Sequence, residues 1–136
     1  MKDKIAELYK LQKNNLVYSP WGKEASLPQR MKELREEVEE AFVELNNEKW
    51  DNFKDEIGDV LWDCLGVISK AEHDGHFTIK EVLDNSYKKF TERKPFLVEE
   101  RHVTKEEELA LKKYFSDKKT GITRRISKKK RELNTK

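Results

Sequence analysis

Apolar residues recur at three- and four-residue steps along most of the chain, and this spacing predicts α-helices. The repeat is clearest at Leu34, Val38 and Leu45, and it returns after Phe53. Five helices are predicted. The first covers residues 2–13, the second runs from Ser26 to about residue 45, and the third runs from Asp51 to about residue 73. The fourth begins at Thr78 and stops before Pro95, and the fifth begins at Thr104. No stretch alternates polar and apolar residues over the length of a strand, so the predicted fold class is all-α.

Polar residues and one glycine mark where these helices begin and end. Capping pairs are expected at Ser26 with Gln29 (with Pro28 in the first turn), at Thr78 with Glu81 and at Thr104 with Glu107. Asp51 is expected to cap the third helix and Gly75 to end it, while Asn14 and Asn15 are expected to end the first helix and Asn46 and Asn47 the second. Residues 16–25, with the stretch SPWGK at their centre, are then predicted to form a loop.

The composition favours one small domain with charged helix faces. The chain has 136 residues, of which 41% are charged and 35% hydrophobic, and narrow apolar stripes are better buried if such a chain dimerises. The net charge of +2 is unevenly placed, because residues 117–136 hold nine Lys or Arg against two acids. No apolar run suits a signal peptide or a membrane span, and the single cysteine, Cys64, cannot form an intrachain disulfide. A cytoplasmic location is therefore expected.

Two carboxylate clusters flank the apolar stripes of the second and third helices. Glu37 and Glu40 are three residues apart in one helix, and Glu56 and Asp59 have the same spacing in the next, so each pair shares a helix face. If the helices pack antiparallel, the four carboxylates converge, and like charges near an apolar core are costly unless a cation neutralises them. A hard divalent cation such as Mg²⁺ takes oxygen ligands of this kind. The alternative is that acid-rich helices only solvate their outer faces.

The predicted fourth helix carries the opposite charge. Lys89 and Arg93 share a face of this helix, and Asn85 lies one turn before Lys89. A basic face beside a metal-holding acidic face suits a triphosphate, whose remaining negative charge Lys and Arg would bind. Taken alone, these cations are more typical of a solvated helix face. Trp21, two residues before Lys23 in the predicted loop, is either a packing residue or a substrate contact.

Four motifs, in consistent order over residues 18–96, resemble the MazG-type all-α nucleoside triphosphate pyrophosphohydrolases. Glu37-x-x-Glu40 followed by Glu56-Ile-Gly-Asp59 is similar to the family's ExxE…ExxD signature. The stretches SPWGK (residues 19–23), DGHF (74–77) and KFTERKP (89–95) resemble the family's CPWDK, the turn before its basic helix and its KLxRRHP. Ser19, Gly22, Glu92 and Lys94 depart from these patterns, and the departures concern substrate preference, not the metal ligands.

The resemblance implies a MazG-like helical bundle that packs as a tight homodimer or as a dimer of dimers, with an extra C-terminal helix and a basic tail. The expected divisions are a catalytic domain over residues 1–98, the C-terminal helix over 99–116 and a flexible tail over 117–136. The implied reaction is Mg²⁺-dependent hydrolysis of an NTP or dNTP to the monophosphate and pyrophosphate, by attack of an activated water at the α-phosphate, with Mn²⁺ as a substitute cation. The implied metal ligands are Glu37, Glu40, Glu56 and Asp59, Glu36 is a candidate base that the sequence does not separate from Glu39, and the implied substrate contacts are Trp21, Lys23, Asn85, Lys89 and Arg93.

Two other functions stay open at this point. Within the same fold, the chain resembles dUTPase-like and phosphoribosyl-ATP pyrophosphatase-like enzymes, which share the acidic helices and differ in substrate. In a different class, the chain would be a non-enzymatic helical dimer that binds nucleic acid through the basic tail at residues 118–136. A tail of this composition is more typical of a solvated segment. No membrane partner is expected.

Overall fold

The computed structural model describes residues 2–118, and within them the fold is all-α, as predicted, with seven helices and no strand. The helices are α1 (Lys2–Tyr18), α2 (Pro20–Glu24), α3 (Leu27–Asn46), α4 (Trp50–His73), α5 (Ile79–Arg93), α6 (Pro95–Val98) and α7 (Lys105–Lys118). None of these helices is both long enough and apolar enough to cross a membrane. The predicted tail from residue 119 onward lies outside the described residues.

The chain divides into two compact units after Val82, and the first is organised around an α3–α4 hairpin. Near one end of the hairpin, Nη1 of Arg30 lies 3.4 Å from the carbonyl oxygen of Gly66. Near the other end, Nδ2 of Asn52 donates to Oε2 of Glu44 over 3.2 Å. The start of α3 therefore meets the second half of α4, and the two helices run antiparallel, as the convergence of the acids requires.

The first helix, α1, packs along the C-terminal half of α4. Nε2 of the buried Gln12 donates to the carbonyl of Trp62 over 2.8 Å. The hydroxyl of Tyr9 donates to Oε2 of Glu72 over 2.8 Å, and Oε1 of the same carboxylate accepts the backbone N–H of Ile79 over 3.2 Å. The hydrogen bond from Tyr9 lowers the pKa of Glu72. Glu72 thus joins α1, α4 and the first turn of α5.

The end of α1 differs from the prediction. The helix continues through Asn14 and Asn15 to Tyr18, and α1 and α2 together occupy most of the predicted loop, so both predictions were wrong. An asparagine within a helix lowers stability by less than about 1 kcal/mol. Packing of α1 along α4 stabilises the helix by more than this. Ser19 then caps α2, because its Oγ accepts the N–H of Gly22 over 3.1 Å.

The boundaries of α3 and α4 follow the prediction with one exception. The capping box of Ser26 with Gln29 is present in both directions, and α3 ends at Asn46. Gly75 has a φ of +80° and follows α4 in a turn that suits glycine, so its predicted role is confirmed. Asp51 does not cap α4: Lys49 is the N-cap residue, and Asp51 lies in the first turn, where its charge still favours the positive end of the helix dipole.

The second unit contains the rest of α5, together with α6 and α7. Pro95 ends α5 as predicted and also begins the short α6, which the apolar pattern did not indicate. Oγ1 of Thr104 accepts the N–H of Glu107 over 3.1 Å, so the predicted cap of α7 is confirmed. Within this unit Phe96 is buried.

Large apolar side chains remain exposed on both helices of the hairpin. On α3, Val38 is 39% exposed and Phe42 61%, and on α4, Ile57 is 46% exposed and Leu61 43%. Each pair is spaced by four residues and therefore shares a helix face. The apolar stripes that predicted these helices are thus only partly covered within one chain.

Candidate active site

The α3–α4 hairpin brings together three of the predicted metal ligands. One carboxylate oxygen from each of Glu37, Glu56 and Asp59 lies within 4.8 Å of the other two. Glu37 and Glu56 are half-buried, whereas Asp59 is exposed. The geometry follows from the ExxE and ExxD spacing, because each motif puts its acids on the helix face that meets the other helix.

The environment of Glu37 and Glu56 disfavours two negative charges. Burial, a hydrogen bond with Glu56 and the charges of Glu40, Glu56 and Asp59 raise the pKa of Glu37 to about 8. The hydrogen bond with Glu37 lowers the pKa of Glu56, but burial and the charges of Glu40 and Asp59 outweigh it, so that pKa is also raised. Two full negative charges on this pair are therefore unfavourable, and a bound cation would relieve their repulsion.

The cluster fits a hard divalent cation in its donor set and in its unsatisfied atoms. Oε2 of Glu37 and Oε2 of Glu56 are buried and have no hydrogen-bond partner among the described residues. A buried carboxylate oxygen without a donor is costly, and a cation is a partner that would satisfy such an oxygen. Three carboxylates are the type of ligand that Mg²⁺ and Mn²⁺ prefer.

The other predicted acids lie outside this group of three. Glu40 is exposed, yet its charge and a hydrogen bond act on Glu56, so it lies at the edge of the cluster. Glu36 is also exposed, and its Oε1 is 4.0 Å from Nζ of Lys32. Asp63 extends the acidic row along α4, and burial and the charges of Glu33 and Asp59 raise its pKa. Proximity to the three clustered carboxylates thus favours Glu40 over Glu36 as a residue that takes part in the chemistry of this site.

Trp21 and Lys23 are placed by the short α2, and both side chains are exposed. The guanidinium of Arg30 lies over the Trp21 ring, 5.0 Å from its centroid, and its Nη2 donates to the carbonyl of Gly22 over 2.8 Å. A Cβ at Gly22 would meet the carbonyl oxygen of Asn15 at 2.0 Å, so only glycine fits there. The α2 segment is therefore pinned between α1 and α3.

Arg30 is a buried cation beside Trp21 that the sequence reasoning missed. It is 3% exposed, and it also donates from Nε to the carbonyl of Ala25 over 3.3 Å. A signal was present, because Arg30 follows Leu27 by three residues and precedes Leu34 by four, which places it on the apolar stripe of α3. A cation on an apolar stripe indicates a buried hydrogen-bonding role.

The three substrate residues predicted on α5 belong to the second unit. Asn85, Lys89 and Arg93 line one cavity of about 360 Å³ there, so the structure brings them together. Nη2 of Arg93 is buried without a hydrogen-bond partner in the part of the chain that the structure describes. Nζ of Lys89 lies 5.7 Å from the centroid of the Phe90 ring.

Comparisons with known proteins agree with this arrangement. Residues 26–98 match the model of the MazG nucleotide pyrophosphohydrolase domain. Among solved structures, the chain is similar to the crystal structure of a mazG-related protein from Thermotoga maritima, with 26% identity and a TM-score of 0.76 over 80% of this chain and 96% of that one. No curated protein matches the sequence. The matched domain covers more than half of the chain and contains all the clustered acids, so the chain belongs to the MazG nucleotide pyrophosphohydrolase family.

Proposed function

We propose that the protein hydrolyses nucleoside triphosphates, as NTPs or dNTPs, to the nucleoside monophosphate and pyrophosphate, with Mg²⁺ bound by Glu37, Glu56 and Asp59 and assisted by Glu40. One observation carries the proposal. Three carboxylates from two antiparallel helices lie within 4.8 Å of one another, and two of them have buried oxygens without a partner among the described residues. Membership of a nucleotide pyrophosphohydrolase family supports the reaction class.

The carboxylates have two roles in this proposal. Glu37 and Glu56 hold the cation, which, when bound, neutralises phosphate oxygens and makes water more acidic. A carboxylate at the edge of the cluster accepts the proton of the attacking water, and the exposed Glu40 is closer to the ligands than Glu36 is. The water oxygen forms a bond to the α-phosphorus, the bond from that phosphorus to the bridging oxygen breaks, and the pair of electrons leaves with pyrophosphate.

Basic and aromatic residues complete the proposed binding of substrate. Lys89 and Arg93 bind phosphate oxygens and stabilise the charge that develops on the departing pyrophosphate. Lys89 and Arg93 line the same cavity of the second unit, which supports a shared role. Trp21 and Lys23, on the segment that Arg30 pins, contact the nucleotide, and Trp21 offers an exposed ring for stacking on a base.

We also propose that the working form is a homodimer in the cytoplasm. The half-covered stripes on α3 and α4 support self-association, since each exposes large apolar residues such as Phe42 and Ile57. A cytoplasmic location agrees with the free Cys64.

The test of the reaction is product analysis with a panel of NTPs and dNTPs, dUTP and phosphoribosyl-ATP, in Mg²⁺, in Mn²⁺ and in EDTA. We expect monophosphate and pyrophosphate in equal amounts, and only with a divalent cation. The ranking of substrates separates a general NTP pyrophosphohydrolase from a dUTPase-like or phosphoribosyl-ATP pyrophosphatase-like enzyme. Formation of diphosphate and inorganic phosphate, or no turnover with any substrate, would contradict the proposal.

A further inference from the structure

One face of the Trp21 ring is covered by the guanidinium of Arg30. Cζ of Arg30 lies 5.0 Å from the centroid of this ring. Arg30 is 3% exposed and Trp21 is 44% exposed, so the covered face of the indole is the inner one and the other face is open to solvent. Aromatic rings stack on nucleobases of every kind, because each base has a flat π surface. Trp21 therefore offers a single face to a base.

The guanidinium beneath this ring is held in one orientation by three backbone carbonyls. Nη2 donates to Gly22 over 2.8 Å, Nε to Ala25 over 3.3 Å and Nη1 to Gly66 over 3.4 Å. Gly22 and Ala25 belong to α2 and its C-cap, whereas Gly66 belongs to α4. A guanidinium is planar and its donors have fixed directions, so acceptors on two separate segments fix its plane. The indole that rests on this plane is fixed with it.

Arg30 also lies beside the acidic row of α4. Its acceptor Gly66 follows Asp63 by three residues and Asp59 by seven, so all three lie on one face of that helix. Burial and the charges of Glu33 and Asp59 raise the pKa of Asp63, and the charge of Arg30 opposes this rise. Seven residues of helix measure about 10 Å, which is similar to the span of a nucleotide from its α-phosphorus to its base. All of these residues belong to the first unit.

We propose that Arg30 is a positioning residue for the base of the substrate: it holds Trp21 in the orientation that stacks on the base while the phosphates lie at the carboxylate cluster. This inference rests on the proposed function and adds a residue that acts through Trp21. Arg30 does not contact the substrate itself, because it is buried and its three nitrogens already donate to carbonyls. Since stacking does not read the edges of a base, the effect of Arg30 should be similar for purine and pyrimidine nucleotides.

The test is a double-mutant cycle in KM and kcat for the best NTP. Trp21→Leu should raise KM about tenfold with little change in kcat, because it removes the stacking of one base. Arg30→Met should raise KM about fivefold, and Arg30→Lys, which keeps a charge beneath the ring, should recover part of this loss. In the Trp21→Leu background, Arg30→Met should raise KM no further, since Arg30 acts through the ring.

Tyr9→Phe is the matched control for lost stability. It removes the 2.8 Å hydrogen bond from Tyr9 to Glu72, in the same unit, but none of the bonds that hold α2, so KM should stay at the wild-type value. An equal rise in KM for Tyr9→Phe and Arg30→Met would show a general effect of destabilisation and overturn the inference. A rise caused by Arg30→Met that is as large without the Trp21 ring as with it would overturn it too.

A binding measurement separates this inference from the proposed function. The probes are AMP, GMP, CMP and UMP in Mg²⁺, which lack an anhydride bond and do not turn over. Quenching of Trp21 fluorescence is followed in a chain whose other two tryptophans are replaced (Trp50→Phe, Trp62→Phe), and Arg30→Met should raise the dissociation constant about fivefold. If NTPs are hydrolysed but Arg30→Met changes neither KM nor quenching, the inference is refuted and the proposed function stands. If quenching depends on Arg30 but no NTP is hydrolysed, the base contact stands and the proposed function fails.

Discussion

Replacing Arg30 with methionine should lower the free energy of unfolding by about 3 kcal/mol. The guanidinium makes one short hydrogen bond, of 2.8 Å to the Gly22 carbonyl, and two longer ones, of 3.3 Å to Ala25 and 3.4 Å to Gly66. A short bond from a charged donor contributes roughly 2 kcal/mol, the long ones about 0.5 kcal/mol each, and the contact with Trp21 about 1 kcal/mol. Methionine keeps most of the volume and removes the desolvation cost of the cation, which returns about 1 kcal/mol.

The assay is urea denaturation followed by circular dichroism, with all variants at one protein concentration. Arg30→Lys keeps the charge but cannot reach three carbonyls at once, so we expect an intermediate loss. Lys32→Met is the matched control, because Lys32 is an exposed residue on the same helix, and its loss should be under about 0.5 kcal/mol. A loss below about 1 kcal/mol for Arg30→Met would refute the view that this buried network anchors α2.

Three further predictions follow from other parts of the fold. Gly22→Ala should destabilise the protein by about 2 kcal/mol in the same urea assay, because the new Cβ would meet the Asn15 carbonyl oxygen at 2.0 Å. Gly58→Ala is the control: a Cβ there would have nothing within 4 Å, so this change should be neutral or stabilising. The pKa of Glu37 is raised from 4.5 to about 8, so the folded chain holds an extra proton between these values, and the melting temperature in EDTA should fall as the pH rises through this window. Added Mg²⁺, or Glu37→Gln, should reduce the fall of the melting temperature with pH. An unchanged pH dependence would contradict the assignment of Glu37 as the group that binds the extra proton. Leu61→Lys, at a position 43% exposed, should shift the protein from dimer to monomer in light scattering, and a mass equal to that of the wild type would rule out this face as the interface.

Helix boundaries were predictable where short-range chemistry decides them. The capping box at Ser26 and the glycine turn at Gly75 involve residues within five positions of one another, so the sequence contains all the information needed. The end of α1 was missed because Asn15 stays helical in a segment that packs on the distant α4. The N-cap of α4 is Lys49, two residues before the predicted Asp51. A carboxylate stabilises a helix start from the first turn as well as from the cap, so the sequence does not separate these two positions.

The candidate site shows the same division between local and distant information. The ExxE and ExxD spacing placed Glu37, Glu56 and Asp59 on facing sides of two helices, and the hairpin brings them within 4.8 Å. Spacing could not separate Glu36 from Glu39 as the candidate base, and both side chains are exposed and lie outside the group of three carboxylates. Arg30 was missed because its three acceptors are backbone carbonyls of the α2 segment and of the distant α4, and only its place on the apolar stripe of α3 hinted at this role.

The most direct test of the central claim measures pyrophosphate release against Mg²⁺ concentration for the wild type, Glu56→Ala and Glu39→Ala. Glu56 is part of the carboxylate cluster, whereas Glu39 is an exposed acid of α3 outside it. We expect Glu56→Ala to stay folded, since the change relieves like-charge repulsion, but to release no pyrophosphate at any Mg²⁺ concentration, while Glu39→Ala follows the wild-type curve. Near-normal release by Glu56→Ala would contradict the metal assignment, and equal losses in both variants would show that the cluster has no special role.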